Sequence, residues 1–167
     1  MPQLNIQGTI IDFPDSSQSP NWAEAVVQFA EAVEAALSSV AGQYDVPPTT
    51  MNIDGATYNG TSNNDIKSGA ISLAFPGSQV RSAFVRYAVA REATGQPQIT
   101  ETGTLTVLYN DATSSWIISR EYIGDAQITF NITGSGQIRF SSVLIGSPAS
   151  SHIGRITFSA QALPKEV

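Results

Sequence analysis

The sequence predicts a mainly β protein, an antiparallel jelly-roll-like β-sandwich preceded by an N-terminal strand and one amphipathic α-helix. Two observations carry this prediction. After Gly69, short runs of alternating apolar and polar residues are separated by turn signals roughly every 10 residues. Between Asn21 and Ala41 the apolar residues recur at helical spacing instead. Strands and helices do not alternate along the chain, so a parallel sheet is not expected.

The N-terminal part is predicted to form a strand or extended arm and then a helix. Residues 4–13 are rich in Ile and alternate imperfectly, as in a strand. Asn21 is a suitable N-cap, and Glu24 follows three residues later, as in a capping box. Gly42 is placed to end the helix in the left-handed conformation.

The predicted helix carries one apolar stripe. Its members step by four and three residues, the spacing of heptad a and d positions, and Leu37 widens the stripe. They are Trp22, Val26, Phe29, Val33, Ala36 and Val40. An isolated helix of about 20 residues is only marginally stable, so the stripe must be buried. It packs either on the chain's own β-domain or on copies of the same helix.

The rest of the chain is predicted to form one β-domain. The stiff Pro47-Pro48 pair divides the sequence into residues 1–48, an arm and helix, and residues 49–167, the sandwich. Residues 55–69 are a polar loop rich in Asn and Asp. The predicted strands span residues 49–54, 70–75, 79–93, 98–109, 115–123, 126–133, 137–145 and 153–162.

Charge is sparse and unevenly distributed. Only 13% of residues are charged, and the net charge is −6. No Lys or Arg precedes Lys67, so this net charge belongs to the first 45 residues. The acidic segment is either a solvated helix face or a docking surface for a basic partner. A nucleic-acid partner is not expected, because its binding surface should be basic.

The sequence predicts no enzyme, cofactor or metal. There is no cysteine, and the single histidine, His152, lies in a Ser-rich turn without a nucleophile motif. The Asn-rich loop does not match the calcium-loop spacing, so it is interpreted as a turn-rich loop. No pair of carboxylates indicates polysaccharide hydrolysis. No apolar run approaches the roughly 18 residues that a membrane span requires, and Met1 to Asp12 does not read as a signal peptide.

Two stretches of the chain, from Gln7 to Pro48 and from Arg81 to Ala162, carry a set of turn and strand motifs. The motifs include Gly8-Thr9-Ile10-Ile11-Asp12-Phe13-Pro14, Pro20-Asn21-Trp22-Ala23-Glu24-Ala25, Glu101-Thr102-Gly103-Thr104-Leu105 and Gly154-Arg155-Ile156-Thr157-Phe158. With these motifs the two stretches resemble virion proteins of tailed bacteriophages. The proteins that they resemble are phage fibre and head-surface proteins in which a helix leads into a β-sandwich of tumour-necrosis-factor-like shape.

The resemblance implies a non-enzymatic, homotrimeric structural protein located in the virion. It would be a head-surface decoration or fibre protein, or a tail-fibre protein, whose partners are itself and capsid, collar or tail components. The expected trimer interface comprises Trp22, Val26, Phe29, Val33, Leu37 and Val40. The expected virion-docking residues are Ile6, Ile10, Ile11 and Phe13.

The alternative function is a carbohydrate or host-receptor binding module. Such a module needs exposed aromatic and polar groups clustered at one end of the sandwich. The candidate receptor loops carry Tyr58, Asn63, Asn64 and His152. Under either function the sequence predicts no membrane partner, and a host surface glycan is a candidate ligand only for the second.

Overall fold

The protein is described here by a computed structural model that covers residues 3–6, 9–12, 26–31, 33 and 44–165. The chain divides into two compact units, Met1–Gln43 and Tyr44–Val167. The predicted mainly β, antiparallel fold class is confirmed, because every strand pair among the described residues runs antiparallel.

The first unit contains two short strands where the sequence predicts a single strand or extended arm. Strands β1 (Gln3–Ile6) and β2 (Thr9–Asp12) are antiparallel, with Leu4 opposite Ile11. Residues 26–31 and 33 are helical, within the predicted helix.

The second unit contains a large and a small sheet. The five-stranded sheet has the order β3-β12-β7-β8-β9, formed by β3 (Val46–Asn52), β12 (Ile153–Pro164), β7 (Val80–Ala93), β8 (Gln96–Asn110) and β9 (Ser115–Gly124). The three-stranded sheet has the order β10-β11-β4, formed by β10 (Ile128–Ile132), β11 (Ile138–Ser142) and β4 (Asn64–Asp65). A short ribbon pairs β5 (Lys67–Ser68) with β6 (Ile71–Ser72).

The large sheet contains a Greek key. Strands β7, β8 and β9 follow one another as hairpins, and β12 returns over a long connection to lie beside β7. Gly95 in the first hairpin turn has φ of +76°, a conformation that glycine adopts without steric cost. The observed strands of this sheet begin and end within a few residues of the predicted ones.

The core lies between the inner faces of the two sheets. Along β7 the inner residues Val85 and Val89 are buried, whereas Phe84 and Arg86 on the outer face are exposed. This period-two burial is the pattern of a strand with one solvated face. The aromatic rings of Tyr87 and Phe130, on opposite sheets, approach to 4.7 Å between centroids. The two sheets therefore share one hydrophobic core.

Two parts of the predicted β-domain differ in detail. The predicted boundary at residue 48 falls inside β3, because Pro47 and Pro48 lie within that strand. Proline is tolerated there because β3 is an edge strand and needs fewer ladder donors. The predicted polar loop 55–69 contains the two short strands β4 and β5.

Candidate functional site

The candidate trimer interface is partly described. Val26 is 55% exposed and Phe29 is 39% exposed, and Val33 is half-buried. These three residues are spaced by three and four positions in the helical segment, so they share one face. Trp22, Leu37 and Val40 lie outside the described residues. An apolar helix face thus lies open in the single chain at Val26 and Phe29.

The candidate virion-docking residues belong to the first pair of strands. Ile6 ends β1, and Ile10 and Ile11 lie in β2, where Ile10 is opposite Asn5. Phe13 lies outside the described residues. The backbone therefore brings Ile6, Ile10 and Ile11 together on one short ribbon.

Three candidate receptor residues lie beside β11. Asn63 is exposed with φ of +59°, and its Oδ1 accepts a hydrogen bond of 3.1 Å from Asn131. Asn64 pairs with Phe140 in the small sheet and donates to the Thr61 hydroxyl. The Tyr58 ring stacks on Phe140 with 6.0 Å between centroids. Asn63 is the most accessible of the three.

The structure corrects the expectation for His152. Its side chain is only 1% exposed, so the imidazole is not available to a receptor. The Nε2 atom accepts a hydrogen bond of 3.1 Å from Nε of Arg91. The imidazole is therefore neutral, with its proton on Nδ1. His152 has a structural role beneath the loops.

Arg91 is the centre of this buried cluster. The side chain is fully buried, and besides His152 it donates to Oδ1 of Asn59. It also donates to the backbone carbonyls of Ala126, Gln127 and Val143 at 2.8–3.1 Å. Among the described residues no carboxylate contacts it, and desolvation lowers its pKa. One guanidinium therefore fixes four separate loop segments.

Asn59 extends the cluster to the next loop. Its amide nitrogen donates to the carbonyls of Ile145 and Ala149, and its Oδ1 accepts from the Ile145 amide at 2.9 Å. The side chain is 4% exposed. The polar loop and the Ser-rich turn are thus bonded to each other through buried donors and acceptors.

A second buried polar cluster surrounds Glu101. Its carboxylate accepts hydrogen bonds from the Tyr87 hydroxyl at 2.7 Å, from the Arg120 guanidinium and from the Ala126 amide. Arg120 also donates to the Ile128 carbonyl and lies 4.0 Å from the Tyr122 ring centroid. Burial, and then the bond to Glu101, raises the pKa of Tyr87 to about 12.

Both clusters hold the segment that joins the two sheets. Glu101 binds the amide of Ala126, and Arg91 binds the carbonyl of the same residue. The crossover from β9 to β10 is therefore fixed on both sides by charged side chains. Buried networks whose donors and acceptors are paired favour one rigid arrangement of the loops. In these two clusters, Nδ1 of His152 is the one buried side-chain atom without a partner among the described residues.

Sequence reasoning missed the roles of Arg91 and Glu101. The alternation of residues along the strands could have revealed them. On β7, Arg91 is an even number of residues from Val85, Tyr87 and Val89, so it lies on the same face of the strand. On β8, Glu101 is four residues from Leu105, so these two residues also lie on the same face of the strand. Period-two alternation therefore places both charges on the core face, where each needs partners.

The burial of His152 predicts a pH dependence of stability. Desolvation, and then the nearby Arg91 charge, lowers the pKa of His152 below its ordinary value of 6.5, with Asp54 opposing. The unfolded chain therefore binds a proton near pH 6.5 that the folded chain resists. The free energy of unfolding should be unaffected by this group above pH 6.5. It should fall by about 1.4 kcal/mol per pH unit from there down to the folded pKa.

Urea unfolding between pH 7.5 and 5, on wild type and His152→Gln, measures this effect. Gln retains an acceptor for Arg91 without titrating, so the variant should lose the slope below pH 6.5. Because His152 is the only histidine, its imidazole NMR signal can be followed in the same samples. Equal slopes in both proteins, or an imidazole pKa at or above 6.5, would refute the assignment.

The described residues contain no group of three or more His, Cys, Asp or Glu side chains placed to hold a metal ion. No helix within the described part of the chain has the length and apolarity needed to cross a membrane.

The outer face of the five-stranded sheet is open to solvent. Its shallow hollows are lined by small side chains, such as Ala88, Ala90 and Thr102. Arg86 and Arg155 project from this face and form no ion pair with the described residues. The face also carries several exposed apolar side chains.

No family model matches the sequence, and no curated protein matches it. Among solved structures, the chain is similar to the tailspike protein of Acinetobacter phage vB_ApiP_P1, with 13% sequence identity and a TM-score of 0.42. The similarity covers 69% of this chain and 22% of the tailspike chain, so the matched region is less than a quarter of that protein's length.

Proposed function

We propose that this chain is a structural component of a tailed-phage virion that assembles as a homotrimer through its N-terminal helix. It is a head-surface decoration or fibre protein, or a tail-fibre protein. The observation that carries the proposal is the apolar stripe at heptad spacing, of which Val26 and Phe29 are exposed in the single chain. The sequence resemblance to phage virion proteins supplies the trimeric state.

In this function the N-terminal unit makes the contacts. The helices lie beside the three-fold axis, with Val26, Phe29 and Val33 buried between copies. The ribbon that carries Ile6, Ile10 and Ile11 docks on a capsid, collar or tail protein. The acidic character of the first 45 residues favours a basic docking surface on that partner.

The second unit, Tyr44–Val167, is called the β unit and provides a rigid body. Its long hairpins form an extensive antiparallel sheet, and the Arg91 and Glu101 clusters fix its loops. Rigidity of this kind suits a protein that must stay folded on the outside of a particle. The function requires no reaction at the sheet or in the loops.

Substitution in the stripe tests the proposal. Val26→Glu places a charge inside the proposed helix interface, and should convert the trimer to a monomer at micromolar concentration. Val27→Glu is the matched control, because Val27 is 54% exposed, like Val26 at 55%, but lies off the stripe. Size-exclusion chromatography with light scattering reports the mass of each variant.

The control should keep the wild-type trimer mass. If both variants remain trimeric, the stripe is not the interface. If both become monomeric, the effect is one of added charge and the stripe assignment also fails.

The second candidate function is adhesion, as a carbohydrate or host-receptor binding module. The side-chain amides of the exposed Asn63 and the half-buried Asn131, paired at 3.1 Å, favour it. They present donors and acceptors side by side where the polar loop lies against β10. Binding of the wild-type chain on a glycan array, lost in Asn63→Ala, would support this function over a purely structural one.

A further inference from the structure

An apolar row crosses one end of the outer face of the five-stranded sheet. Leu163 on β12, Leu108 on β8 and Ile117 on β9 lie in one register row, with Ser82 of β7 between the two leucines. They are 54%, 45% and 52% exposed. Phe84, 46% exposed, lies in the adjoining row. The four apolar residues, which are the three in the first row together with the adjoining Phe84, are called the apolar row below.

The apolar row reaches both edges of the sheet. Strand β9 is the edge on one side, so Ile117 is an edge residue. On the other side β3 pairs with β12 as far as Val46 opposite Ala160, and Asp45 accepts a hydrogen bond from the Ala162 amide. Within the described residues, β12 itself therefore forms the edge at Leu163. Three strand spacings separate Leu163 from Ile117, which is about 14 Å. At this end of the sheet, both edges therefore carry an apolar side chain in the same register row.

This arrangement fits a closed ring of copies. In a closed ring around a three-fold axis, one edge of each subunit's sheet contacts the opposite edge of the neighbouring subunit's sheet. The two edges must therefore be complementary. Leu163 of one copy would meet Ile117 of the next, with Leu108 and Phe84 nearer the axis. A sheet with a single apolar flank would not satisfy this condition.

The charges of the face are also compatible with a second copy. Arg86 and Arg155 on the outer face are balanced by Glu92 and Glu121 on the same face. Such a face neither repels a copy of itself nor selects a strongly charged partner.

We propose that the apolar row is a contact surface between copies of this chain, which closes Leu163 of one subunit against Ile117 of the next around a three-fold axis. This inference rests on the proposed homotrimer and adds a second interface, in the β unit. Its occupant is the same surface of neighbouring subunits.

Disulfide trapping tests the inference, because the chain contains no cysteine. The full-length variant Ile117→Cys/Leu163→Cys is oxidised mildly and examined on a non-reducing gel. A disulfide within one chain is excluded, because about 14 Å exceeds the roughly 7 Å limit between the bridged Cα atoms. The expected product is a covalent trimer. The matched control is Val143→Cys/Leu163→Cys, since Val143 is 59% exposed but lies on a loop outside the five-stranded sheet.

The outcomes separate this inference from the proposed function. A covalent trimer from the first variant, at least tenfold above the control, supports it. Equal cross-linking by Ile117→Cys alone indicates like-to-like contact and overturns the ring geometry. A wild-type trimer by light scattering with no cross-linking above the control overturns the apolar-row contact and leaves the helix-mediated trimer standing. A wild-type monomer overturns the proposed trimer itself.

A double substitution to glutamate tests the same contact independently of cross-linking. Ile117→Glu/Leu163→Glu should lower the fraction of trimer at least tenfold at low micromolar concentration. Both side chains are about half exposed, so the fold should persist, as checked by far-UV circular dichroism. A folded variant with unchanged trimer content would contradict the inference.

Discussion

Replacing Arg91 with Met is expected to destabilise the β unit by at least about 4 kcal/mol. Methionine fills similar space but donates no hydrogen bond. The substitution leaves Nε2 of His152 and the carbonyls of Ala126 and Val143 without their donor. The other two acceptors, Oδ1 of Asn59 and the Gln127 carbonyl, each keep a backbone amide donor. Each unsatisfied buried acceptor costs about 1–3 kcal/mol, and rearrangement of the loops recovers only part of this sum.

Equilibrium unfolding in urea at one protein concentration measures the effect. Arg86→Met is the matched control, because Arg86 lies on the same strand but on the exposed outer face. The control should change stability by less than about 0.5 kcal/mol. Arg91→Lys should fall between wild type and Arg91→Met, since an ammonium group cannot reproduce the planar guanidinium fork. A loss of less than about 1 kcal/mol for Arg91→Met would show that the cluster does not hold the loops.

Replacing Glu101 with Leu is expected to cost about 3–5 kcal/mol of stability. The carboxylate is completely buried and is the ionic partner of Arg120, whose side chain is 19% exposed. Its removal leaves a mostly buried positive charge unpaired and the amide of Ala126 without an acceptor. Breaking a buried pair from one side is much more costly than removing both members.

The double variant Glu101→Leu/Arg120→Met tests this cause. It should be more stable than Glu101→Leu alone, because no unpaired charge remains. Asp111→Ala is a suitable control, since Asp111 also contacts two cations, Arg81 and Lys165, but on the surface. Its unfolding midpoint should hardly change. Strictly additive losses in the double variant would contradict the charge-pairing account.

Local periodicity predicted most of the fold. The β7 and β8 strands were recognisable because alternate residues are apolar and Gly or Pro marks their ends. The sheet order was not predictable, because β12 pairs with β7 through contacts distant in sequence. The short strand β4 escaped because Asn64 and Asp65 have low strand propensity, and their pairing depends on the neighbouring β11.

The buried charges were the least predictable part of the site. Arg91 and Glu101 appear in sequence as ordinary surface residues near a turn. Their partners are backbone carbonyls, an amide and side chains that only the folded chain brings together. His152 was assigned to a surface loop for the same reason, since composition alone does not show that a Ser-rich turn folds over it. The apolar row depends on register across four strands, which a single sequence does not reveal.

Sedimentation equilibrium of the wild-type chain, over a range from nanomolar to tens of micromolar, tests the central claim most directly. The account predicts a single species of three times the 17.7 kDa chain mass at the higher concentrations, dissociating only on dilution. A 17.7 kDa monomer throughout that range would contradict it.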